Sequence, residues 1–272
     1  MPLLTDPDAI RAILETDRAW SAYALGDLDA TQFSHCEWRA AAEGGPALLL
    51  LYRRFGTPVL FTLGEPAAVG ALLREVADEP RFCLSIRPEV LPLVKARYTV
   101  RREAPMWRMV HGVERSRPGD FEAVRLGAEA VPALQALYAD GEATEEAPDF
   151  FFPEMVERGV FFGIYDGQAL AAAAGTHLIA PAESVAAVGN VYTRRDCRGR
   201  GFAGRVTGAV AAELRRMGIR TIALNVAHRN AAAITVYEGQ GFTRYCAFYE
   251  GVAERVESSR AETGAGGEES AS

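Results

Sequence analysis

A run of arginines and glycines in the second half of the chain has the composition of an anion-binding turn. Residues 193–205 read TRRDCRGRGFAGR and carry five arginines against one aspartate, a local charge of +4 in a chain of net charge −7. Glycine lets the backbone approach a ligand closely, and the free N–H groups at a helix start favour an anion such as phosphate. The apolar spacing of residues 202–217 predicts such a helix directly after the run. The run is therefore predicted to bind phosphate; the alternative is an exposed basic loop whose glycines only shape a turn.

Two phosphate-binding patterns overlap in this run. Gly199, Gly201 and Gly204 fit the dinucleotide fingerprint G-x-G-x-x-G. That fingerprint requires an acidic residue at the end of the next strand, about 20 residues on. Here the next predicted strand ends in the sequence NVAH at residues 225–228, and the rest of the chain is too short to complete a doubly wound sheet. The second pattern, R/Q-x-x-G-x-G/A, is matched by Arg198, Gly201 and Ala203.

A further motif follows the second pattern about 30 residues later. It has the form N-x-x-A-x-x-x-Y-x-x-x-G-F and is made of Asn230, Ala233, Tyr237, Gly241 and Phe242. With a strand-like segment at 188–193 ahead of both motifs, residues 120–250 resemble the GCN5-related N-acetyltransferases (GNAT). The sequence NVYT before RGRG resembles the FR47-like subgroup of that family.

The resemblance implies an α/β fold with a mixed, mostly antiparallel sheet flanked by helices. Residues 119–251 are predicted to form the GNAT domain, and residues 1–115 an N-terminal α/β domain that carries no motif. Both halves show a similar order of predicted helices and strands, so a degenerate GNAT-like half is one interpretation of residues 1–115. The small, polar, glycine-rich residues 254–272 are predicted to be a disordered tail.

The resemblance also implies a co-substrate, acetyl-CoA or another acyl-CoA, and the residues that bind it. Backbone amides of the arginine–glycine run would hold the pyrophosphate, and the preceding strand would pair with the pantetheine arm. The implied binding residues are Val191, Tyr192, Thr193, Arg198, Gly199, Arg200, Gly201, Phe202, Ala203, Gly204 and Asn230. Asn230 is in addition a natural N-cap for the helix that follows it.

One residue has an implied catalytic role. Tyr237 lies two helical turns after Asn230, and in the family pattern this tyrosine protonates the leaving thiolate. The alternative is a core tyrosine packed on the sheet. No general base is assigned, because the positions where relatives carry an acid are held by Asn225 and Ala187, with Glu183 some residues earlier.

The cysteines and histidines indicate neither a metal site nor a catalytic nucleophile. The four cysteines have no C-x-x-C spacing, and the four histidines have no metal-ligand spacing. Arg198 beside Cys197 favours a lowered thiol pKa. No histidine partner is identifiable, however, so Cys197 is predicted to be an ordinary loop cysteine.

Composition limits the partners. A net charge of −7 and a pI near 5.3 argue against general binding to nucleic acid or anionic membranes. The first residues do not resemble a signal peptide, so a cytoplasmic location is predicted. The sequence thus predicts an N-acetyltransferase that passes an acetyl or acyl group to a primary amine, on a small molecule or a peptide, by direct attack in a ternary complex. The alternative is a non-catalytic acyl-CoA sensor. Acceptor specificity is expected from residues 149–157 and the N-terminal unit, and the oligomeric state is not indicated.

Overall fold

The computed structural model describes residues 3–41, 46–112, 122–142, 144, 146–148 and 150–256. The first helix begins at Pro7 because the Asp6 carboxylate accepts a hydrogen bond from the amide N–H of Asp8, which caps the helix start. Up to residue 112 the elements are α1 (Pro7–Leu14), α2 (Ala22–Gly26), α3 (Ala30–Phe33), β1 (Cys36–Ala41), β2 (Ala47–Tyr52), β3 (Val59–Leu63), α4 (Pro66–Glu75), β4 (Arg81–Ile86), α5 (Leu91–Lys95) and β5 (Tyr98–His111).

The second half has longer strands and helices. A hairpin turns at Gly167, whose φ of +65° is a conformation that glycine adopts without strain. The elements after residue 121 are β6 (Val124–Leu126), α6 (Val131–Glu142), α7 (Pro153–Arg158), β7 (Phe161–Asp166), β8 (Ala169–Ala180), β9 (Val185–Thr193), α8 (Phe202–Arg216), β10 (Thr221–Ala227), α9 (Ala231–Gly239) and β11 (Phe242–Arg255).

All of these strands belong to one mixed sheet, in the order β1-β2-β3-β4-β11-β5-β10-β9-β8-β7-β6. Neighbouring strands are antiparallel except for β3–β4 and β9–β10, which are parallel and are joined by α4 and α8 respectively. The last strand of each half crosses into the other half. Strand β5 lies between β10 and β11, and β11 lies between β4 and β5. Each half therefore completes the sheet of the other.

The two faces of the sheet are buried by different helices. On one face, Val188 and Leu224 pack with Val206 of α8 and with Tyr237 of α9. On the other face, Trp20 and the helices α1 and α2 cover the centre of the sheet. Side chains alternate between the faces along each strand, so consecutive residues of β9, and likewise of β10, face opposite sides of the sheet. In the described part of the chain, no helix is long and apolar enough to cross a membrane.

The fold class predicted from the sequence is confirmed. The strand–helix–parallel strand unit occurs once in each half, as expected for a degenerate GNAT-like first half. Strand β1 and helix α7 were not predicted, and α7 lies in the segment expected to contact the acceptor. The boundary placed between 115 and 119 lies outside the described residues, as do Asp149 and the tail from 257 onward. Strand β11 extends to Arg255, so Glu254 lies in a strand.

Candidate active site

The parallel strands β9 and β10 separate at their C-terminal ends. They are paired from Val185 opposite Thr221 to Val188 opposite Leu224. Beyond those pairs, residues 189–193 of β9 and residues 225–227 of β10 continue without pairing to each other. The separation opens a cleft between two strands in the middle of the sheet, and backbone groups at its edges face no neighbouring strand.

A β-bulge shapes the β9 side of the cleft. Gly189 pairs with Gly175 and Tyr192 with Ala173, so two residues of β9 stand opposite one residue of β8. Within the bulge Asn190 has a φ of +51°, a left-handed conformation that asparagine tolerates better than most residues. The bulge turns the backbone of β9 away from regular pairing where the strands separate.

Of the eight buried side-chain polar atoms that lack a hydrogen-bond partner among the described residues, three lie at the cleft. They are Asn190 Oδ1 and Thr193 Oγ1 on β9 and Asn225 Oδ1 on β10. A buried polar group left without a partner costs about 1–3 kcal/mol, so such atoms are rare in folded proteins. Their concentration at one cleft is the arrangement expected where a polar ligand completes the hydrogen bonding.

The turn between β9 and α8 has the backbone of an anion-binding loop. Gly199 and Gly201 have φ values of +76° and +77°, and a Cβ atom at either would meet nothing within 4 Å. Glycine is therefore required at both for conformation and not for space. Gly201 caps α8, whose first N–H groups have no acceptor within the helix and carry the positive end of its dipole.

The arginines of this turn are paired with carboxylates, which the sequence pattern did not predict. Ion pairs join Arg194 to Asp196 (2.7 Å), Arg198 to Glu146 (3.0 Å), Arg200 to Asp166 (3.2 Å) and Arg205 to Glu122 (2.6 Å). These pairs lie at the surface, where solvent screens the charges and an ion pair contributes little to stability. A phosphate group can therefore displace the carboxylates at little cost.

The predicted binding residues differ in which of their groups are available to a ligand at the cleft. The Tyr192 hydroxyl donates a hydrogen bond to Asp140 at 2.9 Å, away from the cleft, so only its backbone is available there. Phe202 is buried under Arg200 and holds the start of α8 on the core. A Cβ on Gly204 would lie 3.1 Å from Gln240 Nε2, so this glycine also permits close packing of α8 on α9. Val191 packs partly against the α8 side of the core, and Ala203 lies in the first turn of α8.

Helix α9 carries Asn230 and Tyr237 to the same region. Asn230 caps the helix as predicted, and its Oδ1 accepts a hydrogen bond from the amide of Ala233 at 3.1 Å. Tyr237 is 8% exposed, and burial raises the pKa of its hydroxyl to about 12. No described residue forms a hydrogen bond with that hydroxyl. A neutral phenol with no protein partner is suited to give a proton to a ligand atom.

The other candidate residues take no such position. Burial raises the pKa of Cys197, so the lowering expected from its arginine neighbour is wrong; this agrees with an unreactive cysteine. Glu183 forms an ion pair with Arg11 at the far end of β9 from the cleft. The described residues contain no group of three or more His, Cys, Asp or Glu side chains that could hold a metal ion.

The bulge at Asn190 was not predicted, although a Gly-Asn pair inside a predicted strand is a signal of positive φ. The contact of His177 with Gly189 was not predicted either: a Cβ at Gly189 would lie 2.1 Å from the His177 Nε2. No pattern in the sequence indicates that contact.

Comparisons with known proteins agree with this geometry. Residues 128–242 match the model of the acetyltransferase (GNAT) family. Mycothiol acetyltransferase of Geodermatophilus obscurus is 33% identical over 152 residues, which are 52% of this chain and 48% of that protein. The chain thus spans about half the length of the curated relative that it matches.

Two solved structures share the fold over most of the chain. A GNAT-family protein of Novosphingobium aromaticivorans described as a putative acetyltransferase has a TM-score of 0.60 and 24% identity, covering 88% of this chain and 100% of its own. A tandem GNAT protein from the clavulanic acid biosynthesis pathway has a TM-score of 0.55 and 15% identity, covering 94% of this chain and 98% of its own. Residues 128–242 therefore match the GNAT family, and the chain shares the fold of these solved structures.

Proposed function

We propose that the protein is an N-acetyltransferase that transfers an acetyl group from acetyl-CoA directly to a primary amine bound in the same complex. GNAT proteins use acetyl-CoA as the acetyl donor. The observation that carries the proposal is the cleft between β9 and β10. Its unsatisfied Asn190 Oδ1 and Thr193 Oγ1 lie on the strand that leads into the glycine turn at the start of α8. One extended ligand with amide groups and a diphosphate fits both features.

The chain's own residues would bind this ligand in two places. The N–H groups at the start of α8, which follow Gly199 and Gly201, would donate hydrogen bonds to the diphosphate. Arg198 and Arg200 would exchange their carboxylate partners for it. The unpaired backbone of β9 from Val191 to Thr193 would pair with the amide groups of the arm. Acetyl-CoA, when bound, supplies the activated thioester.

The reaction needs a proton for the departing sulfur, and Tyr237 is suited to give it. Its raised pKa keeps the hydroxyl protonated throughout the pH range in which proteins are active. The amine nitrogen bonds to the acetyl carbon, the carbon–sulfur bond breaks, and the Tyr237 proton passes to the sulfur. The nitrogen then loses a proton to solvent, and Tyr237 regains one from solvent. An N–H group of the β9 bulge near Val191 would polarise the acetyl carbonyl.

The finer predictions remain part of this proposal. They are the FR47-like subgroup, an amine on a small molecule or peptide as acceptor, and the cytoplasmic location. Helix α7 and the aromatic side chains of Phe150 and Phe152, which are 36% and 40% exposed, border the side of the sheet from which an acceptor would approach.

Thiol release from acetyl-CoA in the presence of a panel of primary amines tests the proposal. We expect turnover with at least one amine, and an approximately 10²-fold lower kcat for Tyr237→Phe, since a positioned general acid typically contributes 10²–10⁴-fold. Thermal stabilisation by acetyl-CoA should be unchanged in this variant, because the hydroxyl does not hold the diphosphate.

Tyr98→Phe is the matched control from the first half. The Tyr98 hydroxyl is buried and donates to the carbonyl oxygen of Glu79 at 3.0 Å, so its loss should lower stability by about 1 kcal/mol without changing kcat. An unchanged kcat in Tyr237→Phe contradicts the acid role. Absence of thiol release with every amine contradicts the proposed function and favours an acyl-CoA sensor.

A further inference from the structure

The cleft has a polar pair on the face opposite α8 and α9. Asn225 is the first residue of β10 beyond the last pair with β9. Its neighbours Leu224 and Val226 belong to the core under α8, so the Asn225 side chain points to the other face, where α2 lies. There Asn225 Nδ2 donates a hydrogen bond to Glu250 Oε1 at 3.2 Å. The carboxylate comes from β11, two strands away.

A fixed positive charge lies near Glu250. Arg108 of β5 lies opposite Asn225 in the sheet and is buried, with its guanidinium 4.7 Å from the centre of the Tyr23 ring on α2. Burial lowers the pKa of Arg108, and the negative charge of Glu250 acts in the opposite direction. The charge of Glu250 also acts on Tyr23 and on Cys83 of β4. The tyrosine and thiol are neutral at pH 7, since burial raises the pKa of both.

The pair presents oxygen atoms that only accept hydrogen bonds. Asn225 Oδ1 is buried and has no partner among the described residues, and its amide nitrogen already donates to the Glu250 carboxylate. A group that binds Asn225 Oδ1 and the Glu250 carboxylate together must donate at least two hydrogen bonds and is best positively charged. A primary ammonium group has three N–H donors and one charge, so it fits this pair.

We infer that Asn225 and Glu250 form the amine subsite of the proposed acetyltransferase, with Glu250 as the group that takes the proton from the incoming ammonium. The inference rests on the proposed function and supplies the general base that no sequence motif identifies. Asn225 Oδ1 and one Glu250 oxygen each accept an N–H of the ammonium. Asn225, joined to Glu250 by its Nδ2, fixes the direction of the carboxylate.

Glu250 takes one proton from the ammonium and passes it to solvent, which leaves the nitrogen lone pair free. That lone pair forms the nitrogen–carbon bond while the carbon–sulfur bond breaks and Tyr237 protonates the sulfur. A second proton leaves the nitrogen and, through solvent, replaces the one that Tyr237 gave. The net change is one ammonium and one thioester converted to an amide, a thiol and one released proton.

Glu250→Gln tests the inference, because it keeps the size of the side chain and removes the base. The probe is the amine of the panel that wild type acetylates fastest, assayed from pH 6 to pH 10. We expect kcat/KM to fall about 10²-fold at pH 7, in the range of a general base. The deficit should shrink to less than about 3-fold at a pH above the pKa of the free amine, because the amine then arrives deprotonated. Asn225→Leu should raise KM for the amine more than it lowers kcat.

Glu254→Gln is the matched control on the same strand. Glu254 forms an ion pair with Arg101 at 2.8 Å and is half-buried, and it makes no contact with Asn225, so its variant should keep the wild-type profile. Thermal stabilisation by acetyl-CoA should be equal in wild type and all three variants. Wild-type activity of Glu250→Gln at pH 7, or a loss of the same size at every pH, overturns the inference while the proposed function stands. Binding of acetyl-CoA without turnover of any amine by wild type contradicts the proposed function itself.

Discussion

The two halves of the molecule share one framework and differ where a ligand would bind. In each half a strand, a helix and a parallel strand succeed one another: β3, α4 and β4 in the first, β9, α8 and β10 in the second. Strand β9 continues five residues beyond its last pair with β10, whereas β3 continues only two beyond its last pair with β4. The cleft between the two parallel strands is therefore much shorter in the first half than in the second.

The first residues of helices α4 and α8 also differ in how well they can bind an anion. Helix α4 follows β3 after only Gly64 and Glu65, and it begins with Pro66, which has no N–H group. A carboxylate at the N-cap repels an anion, and the proline removes a donor that would bind one. The corresponding turn before α8 carries arginines and two left-handed glycines. The first half thus retains the crossover and has lost the anion site.

A tryptophan fills the space at the separating ends of β3 and β4. Trp20 is fully buried, its Nε1 donates a hydrogen bond to the carbonyl oxygen of Thr62 at 2.9 Å, and its ring lies 5.0 Å from the guanidinium of Arg87, just after β4. A side chain of the protein satisfies here a backbone group that, in the second half, is left for a ligand. The same strand–helix–strand unit thus serves as structural support where a side chain of the protein fills the space between its two strands.

Trp20→Ala is expected to have the largest effect on the framework. Removing a buried indole leaves a cavity and an unpaired carbonyl oxygen at Thr62, so the free energy of unfolding should fall by about 3–5 kcal/mol in urea titrations. Trp20→Phe fills most of the space and loses only the hydrogen bond, so about 1 kcal/mol is expected. A loss below about 1 kcal/mol for Trp20→Ala shows that the first half is not closed by this residue.

A smaller effect on stability is expected from His177, which contacts Tyr23 of the first half and Gly189 of β9. His177 is in hydrogen-bond range of the Tyr23 hydroxyl of α2, at 3.3 Å, and burial lowers the pKa of His177 from 6.5 to about 4. The unfolded chain takes up a proton below pH 6.5, and the folded chain does so only near pH 4. The stability contributed by neutral His177 is therefore full above pH 6.5 and is lost as the pH falls toward 4, by up to about 1.4 kcal/mol per pH unit.

Replacing this histidine should flatten the pH dependence. In His177→Gln, the free energy of unfolding should fall less steeply between pH 6.5 and pH 4 than in wild type. The exposed His35→Gln serves as the control and should keep the wild-type slope. Equal slopes in wild type and His177→Gln contradict the lowered pKa of His177.

The fold was largely predictable because the second half has strong local signals. Asp166-Gly167 marks the hairpin, the apolar spacing of residues 202–217 marks α8, and Asn230 marks the start of α9. The exchange of β5 and β11 was not predictable. Strand order depends on which edges meet in the folded sheet, and nothing local to residues 98–111 or 242–255 indicates that.

The candidate site was predictable as far as it lies within a continuous motif. The glycines of the turn before α8, Asn230 and Tyr237 were identified from motifs that resemble those of the GNAT family. The carboxylate partners of the arginines come from distant segments, and Glu250 reaches Asn225 from a strand two positions away in the sheet. Such contacts depend on tertiary structure and leave no pattern in the sequence.

Calorimetric titration of the whole chain with acetyl-CoA tests most directly whether the glycine turn before α8 binds the donor and its counterpart before α4 does not. We predict one acetyl-CoA per chain. Gly201→Glu should abolish binding, because it puts a negative charge at the start of α8, whereas Gly201→Ala, which has the same backbone strain without the charge, should retain weaker binding. Two acetyl-CoA molecules per chain, no binding by wild type, or unchanged binding by Gly201→Glu would contradict the account.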